Sequence, residues 1–247
     1  MTALGTFPAD LNVAVAGASG GIGAEFVRQL AADSRVASVY ALSRGPLEHP
    51  SDKVTAVRID FGDESSIAAA AEAASSHELD IVVVATGLLH RGAALQPEKS
   101  LRDIDPDAMM EAFRINTIGP ALIAKHFLPR FRREGKTVFA ALSARVGSIG
   151  DNRFGGWTSY RASKSALNMV LKTLSIEHAR RFPDAIVAAL HPGTVDTALS
   201  TPFQRRVPED KLFKPGQSVG YLLSVIDGLT AADTGGFFAW DGTPIDY

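Results

Sequence analysis

Tyr160 and Lys164 stand four residues apart in SYRASKSALN, a spacing that puts both on one face of a helix, one turn apart. A free phenol keeps its proton until about pH 10. A lysine cation beside it favours the phenolate, so such a pair can pass a proton to or from an oxygen near neutral pH. The plain alternative is a surface Tyr-Lys pair with no chemistry. Upstream, in ALSARVGSIGDN, Ser143 and Ser148 offer hydroxyls that could steady the reacting oxygen.

A second group of residues points to a phosphate ligand. The apolar run NVAVAG passes directly into Gly17-Ala18-Ser19-Gly20-Gly21-Ile22-Gly23, and a helical pattern follows. Glycines 17, 21 and 23 allow a tight turn, close approach of a pyrophosphate and packing of helix on strand. The free N–H groups of the following helix face the phosphates. At the end of the second apolar run the sequence reads Leu42-Ser43-Arg44-Gly45, with no carboxylate to take ribose hydroxyls. Ser43 and Arg44 suit a 2′-phosphate, so NADP is expected, with NAD the second choice; an ordinary loop arginine is the alternative. Asp60 and Phe61, ending the third run, are placed to meet the adenine, although Asp60 could instead cap the next helix.

Those residues need a scaffold. Apolar runs occur near 12–17, 38–43, 53–60, 80–87, 136–143, 185–193 and 236–240, rich in Val, Ile and Ala and without alternation. That is the pattern of strands covered on both faces. Helical patterns lie between them at about 22–32, 65–76, 105–133, 157–181 and 216–228. The expected fold is α/β: one doubly wound Rossmann-type domain over 1–247, with a seven-stranded, mainly parallel sheet and helices on both faces. In such a sheet the ligand sits beyond the carboxyl ends of the strands.

Composition narrows the partners. The chain has 247 residues, a formal net charge of −2 and no cysteine. Disulfides, thiolate catalysis and Cys-ligated metals are excluded, and no metal site is expected. Nothing suggests a nucleic-acid or anionic-membrane surface. The N-terminal stretch MTALGTFPADLN lacks the pattern of a signal peptide, so a cytoplasmic protein is expected.

Taken together these segments resemble the short-chain dehydrogenase/reductase family, over nearly the whole chain. Gly17–Gly23 resembles its glycine motif, Asn116-Thr117-Ile118-Gly119 its helix asparagine motif, and Tyr160–Lys164 its YxxxK signature. Pro192-Gly193-Thr194-Val195-Asp196-Thr197 resembles its PGxxxT segment. The run ARVGSIGDNRFGGWTSYRASKSALN is most similar to the C-factor and small carbonyl-reductase branch. The resemblance implies that Lys164 also binds the nicotinamide ribose and that Asn116 anchors a proton relay from the lysine. It implies too that Pro192, Gly193, Val195 and Thr197 line the nicotinamide. Asn116 could instead only open a kinked helix, because Pro120 has no N–H for its carbonyl, and Thr197 could be a helix cap.

There are two departures. Val84-Ala85-Thr86-Gly87 stands where the family has Asn-Asn-Ala-Gly, leaving Thr86 and Gly87 to line the cofactor wall. The family's serine column falls on Ala144, between the two candidate hydroxyls; Ser143 is the favoured substitute and Ser148 the other. The resemblance further implies a lid at about 198–217. Leu88, Leu89, Arg145, Phe154 and Trp157 are candidate pocket residues, with Phe154 and Trp157 alternatively interface or core residues. The implied activity is NADP-dependent hydride transfer on a small carbonyl or alcohol substrate, in a homodimer or homotetramer. A dinucleotide-binding regulator with little turnover is the competing expectation.

Overall fold

The computed structural model describes residues 4–74 and 76–247. Residues 1–3 of the N-terminal stretch and Ser75 of the second helical pattern therefore lie outside the described residues. The apolar runs form strands β1 (Leu11–Ala16), β2 (Val36–Ser43), β3 (Val54–Arg58), β4 (Ile81–Val84), β5 (Thr137–Leu142) and β6 (Ala185–His191). Two short segments, β7 (Thr194–Val195) and β8 (Leu212–Phe213), precede the last core strand, β9 (Phe237–Ala239). The main sheet has seven strands in the order β3-β2-β1-β4-β5-β6-β9, and every neighbouring pair is parallel. The chain winds outward from β1 to β3, returns to β4 beside β1, and winds outward again. That reversal opens a crevice at the carboxyl ends of β1 and β4.

Among the described residues six α-helices cover the sheet: α1 (Gly21–Ala32), α2 (Glu64–Ala73), α3 (Pro106–Phe113), α4 (Gly119–Phe127), α5 (Thr158–Ala179) and α6 (Pro215–Gly228). Successive strand residues face opposite layers. Val13 and Val15 pack with Phe26 and Leu30 of α1 and Leu222 of α6. Ala14 and Ala16 join the other core with Ile67 of α2, Ile123 of α4 and Leu167 of α5. Burial of both faces is why the strand sequences are continuously apolar.

The expected single helix over 105–133 is divided. A wide π-type turn occupies Arg114–Ile118 between α3 and α4, and a tight turn at Leu128–Arg130 ends the segment. Pro120 cannot donate to the carbonyl four residues back, so regular α-hydrogen bonding is interrupted at Asn116. The expected lid segment carries short elements of its own. Residues Thr201–Arg206 and Glu209–Lys211 form 3₁₀ turns, and β8 then pairs in parallel with β7. The Asp196 N–H adds a bond of 2.8 Å to the Phe213 carbonyl. A ladder of two residues is too short to leave a sequence pattern, yet it pins the far end of the lid.

Candidate active site

β1 delivers its chain to Gly17, whose φ of +86° is left-handed. A Cβ added there would lie 3.0 Å from the Ala85 carbonyl and from Thr86 Cγ2. On Gly23 it would lie 2.1 Å from the Gly17 oxygen, and on Gly21 2.8 Å from Thr197 Cγ2. The turn is thus closed against three separate neighbours, and side chains would fill it. Gly20 caps α1 without a side chain, and Ser19 beside it is exposed. The first N–H groups of α1 stay open for an anion.

A cleft of about 260 Å³ begins at Gly20, Gly21 and Ile22 and runs past Ala85, Thr86 and Gly87 to Leu142 and Ser143. Tyr160, Lys164, Pro192 and Thr197–Leu199 complete its walls. Thr86 Oγ1 is buried there without a hydrogen-bond partner. A buried orphan hydroxyl beside a glycine cradle fits a polar ligand such as a dinucleotide.

Tyr160 and Lys164 emerge from the first turns of α5 and are 9% and 3% exposed. Lys164 Nζ donates to the Leu142 carbonyl at 2.8 Å. The helix sits this close to β5 because residue 147 is glycine: a Cβ there would be 2.8 Å from Lys164 Cβ. Burial pushes the Tyr160 phenol up to about 12 and the Lys164 amine down to about 7. Loss of water disfavours the charged form of each. The phenol therefore holds its proton at neutral pH, and in the free protein burial outweighs the lowering expected from Lys164.

Asn116 is fully buried in the wide turn. Its amide oxygen accepts the Leu88 N–H at 2.7 Å, and its amide nitrogen donates to the Leu88 carbonyl at 2.8 Å and to Ser163 Oγ at 3.0 Å. Ser163 Oγ in turn donates to the Tyr160 carbonyl at 2.9 Å. A methyl on Gly87 would lie 3.8 Å from Lys164 Nζ and 3.9 Å from Asn116 Oδ1. The wide turn, the β4 loop and the lysine thus meet around Gly87.

Of the upstream hydroxyls, Ser143 lines the cleft and Ser148 does not. Ser143 Oγ donates its proton to Asn168 Oδ1 at 2.7 Å. Ser148 Oγ accepts the Asp151 N–H at 3.0 Å and closes its own loop.

The other expected site residues divide. Ser43 is buried and donates to the Gly45 carbonyl at 2.7 Å, so its proton is used within its own turn. Arg44 beside it is exposed. Asp60 accepts the Gly62 N–H at 2.8 Å, whereas the cap of α2 is Asp63. Phe61 packs into the core and against Gly119. Gly193 is left-handed at φ +77°, pressed against Phe213 and Trp240, and Val195 is buried in β7. Thr197 does not cap a helix: its hydroxyl reaches the Val195 carbonyl at 3.4 Å. Among the candidate pocket residues, Arg145 is engaged with Asp151 at 2.8 Å. Phe154 is 94% exposed and points into solvent, because its loop is held by polar turns rather than by the ring. Trp157 packs edge-on to Tyr160, with ring centres 6.3 Å apart.

His90 and Phe203 are additions that the sequence did not suggest. Phe203 in the lid lies 5.0 Å from the Trp157 ring and 5.6 Å from His90, whose Nε2 is 3.0 Å from the Ala198 carbonyl. The His90 contacts join segments more than a hundred residues apart, and Phe203 and Trp157 are also distant in the chain, where no spacing rule operates.

A glycine-closed turn at a strand-order reversal, facing a buried tyrosine and lysine, defines an oxidoreductase of the nicotinamide-dinucleotide class. The sequence model of the short chain dehydrogenase family matches residues 11–207. The chain belongs to that family of NAD(P)-dependent enzymes. It is 34% identical to the C-signal of Myxococcus xanthus over 148 residues, covering 60% of this chain and 84% of that one. An uncharacterized oxidoreductase of Schizosaccharomyces pombe is 26% identical over 253 residues, covering 94% of this chain and 96% of its own. Among solved structures, the NADPH-bound carbonyl reductase from chicken fatty liver superimposes with a TM-score of 0.84 at 26% identity, over 98% of this chain and 96% of that one. Among the described residues no helix is long and apolar enough to cross a membrane.

Proposed function

We propose that the protein is an NADP-dependent carbonyl reductase for small apolar carbonyl compounds, with Tyr160 as the acid in reduction and the base in alcohol oxidation. The observation that carries this reading is the burial of Tyr160 and Lys164 together in the cleft that the glycine turn opens. NADPH, when bound, would supply the hydride, and NADP+ would take it back in alcohol oxidation. The chain's own residues do the rest. Gly20–Ile22 and the N-terminus of α1 hold phosphate, and exposed Arg44 takes the 2′-phosphate, since no carboxylate stands there to select NAD. Tyr160 gives its proton to the carbonyl oxygen, and Lys164 stabilises the phenolate left behind. Asn116 keeps the neighbouring backbone in place through Leu88 and Ser163. Leu199 lines the cleft, and Trp157 and Phe203 pack on each other beside Tyr160, an apolar setting for the substrate.

A second reading, a dinucleotide-binding regulator with little turnover, is favoured by one feature. Ala144 occupies the serine column and Ser143 turns its proton to Asn168. NADPH oxidation with a panel of aldehydes, ketones and quinones separates the two. Turnover that disappears in Tyr160→Phe while NADPH still binds supports the reductase. Tight NADPH binding without turnover on any member supports the regulator.

A further inference from the structure

The catalytic helix α5 begins in an unusual way. Its N-cap position is Trp157, held left-handed at φ 52°, ψ 41°, and it provides no capping side chain. A bulky aromatic residue seldom adopts that conformation. The N–H groups of the first turn nevertheless need acceptors. They find them on Glu98, from the loop between β4 and α3. Both oxygens of its carboxylate lie 3.2 Å from the Ser159 N–H, and the Ser159 hydroxyl donates to Oε1. The Glu98 carbonyl accepts the Trp157 N–H at 2.6 Å. This clamp spans 61 residues of chain.

Glu98 is also buried, at 5% exposure. A buried carboxylate normally sits opposite a cation. Among the described residues no lysine, arginine or histidine lies within ion-pair distance of it. Its compensation is the positive end of α5 and the two donors of Ser159. Tyr160 is the next residue along. Trp157, at the other end of the clamp, is the ring that touches both Tyr160 and the lid's Phe203.

We propose that Glu98 is a positioning residue for Tyr160. Its carboxylate fixes the first turn of α5, and with it the phenol and the Trp157–Phe203 pair beside it. This rests on the reductase reading above. Loss of the carboxylate frees the turn on which the phenol is mounted, and a misplacement of about 1 Å at a reacting group can cost roughly 10²-fold in rate.

The test uses the full-length protein saturated with NADPH and the best carbonyl of the panel. Glu98→Ala is expected to lower kcat by roughly tenfold or more while the Kd for NADPH stays the same. Glu98→Gln, whose amide oxygen still accepts from Ser159, recovers most of that loss. In a Trp240→Phe background the emission of Trp157 shifts on Glu98→Ala and returns with Glu98→Gln. An unchanged kcat per folded molecule in Glu98→Ala, with only a lower Tm, overturns the proposal. If the wild type reduces no carbonyl, the reductase reading has failed, and the Trp157 emission decides the positioning by itself: a shift supports it and no shift overturns it.

Discussion

The two ends of the parallel sheet treat buried charge in opposite ways. At the amino end Asp80 is fully buried, accepts the Asn12 N–H at 2.8 Å and has Arg132 Nε at 2.9 Å. Arg132 is close enough for an ion pair, although it is not aligned as a hydrogen bond. At the carboxyl end Lys164 is almost as deeply buried, and its amine donates to the Leu142 carbonyl. Among the described residues no carboxylate stands within ion-pair reach of it. The contrast lies in charge and not in every polar atom, since Thr137 at the amino end also buries an unpartnered hydroxyl. One end uses charge to hold the fold. The other keeps a charge uncompensated until ligands arrive, at a cost to the stability of the free protein.

The largest expected effect separates those roles at Lys164. Lys164→Met should reduce turnover by about 10²-fold or more, yet stabilise the free protein by about 1–4 kcal/mol in urea unfolding. Loss of both activity and stability would break the contrast. Its pH signature follows from the same burial. The folded value of about 7 lies below the ordinary 10.5, so the unfolded chain binds more protons between them. This lysine's contribution therefore makes the free protein more stable as pH rises from about 7 toward 10.5, and the methionine variant lacks that rise.

At the opposite end Asp80→Ala should destabilise by about 1–3 kcal/mol, because the buried Asn12 N–H loses its acceptor, while Arg132 is partly exposed and can turn to water. Activity per folded molecule should not change. A comparable fall in kcat would show that the two ends are coupled.

How much of this contrast the sequence reveals depends on how local the cause is. The strands were readable because burial on both faces leaves continuous apolar runs. The glycine turn and the Tyr160–Lys164 pair were readable because their spacing is itself the geometry. Glu98, His90 and Phe203 were hidden, because each acts on a segment brought near only by folding. Phe154 was misjudged for the converse reason: an aromatic residue near a site in sequence need not face it.

Two smaller effects sharpen the picture of the carboxyl end. Arg44→Ala should weaken NADPH binding by roughly tenfold, about 1.4 kcal/mol, and leave NADH binding unchanged. Equal affinities for the two dinucleotides before and after the change would remove the case for NADP. Ser143→Ala should lower kcat by only about fivefold, the worth of one hydrogen bond of about 1 kcal/mol, because its proton is directed to Asn168. A loss near that of Lys164→Met would mean that this hydroxyl turns to the substrate.

The most direct test is a single turnover. Wild type and Tyr160→Phe, both saturated with NADPH and matched for binding, are mixed with the carbonyl that the panel selects, and NADPH consumption is followed. The wild type should consume its bound NADPH, and the phenylalanine variant should hold it unreacted, slower by about 10²-fold or more. Equal consumption by the two would contradict the assignment of the proton to Tyr160.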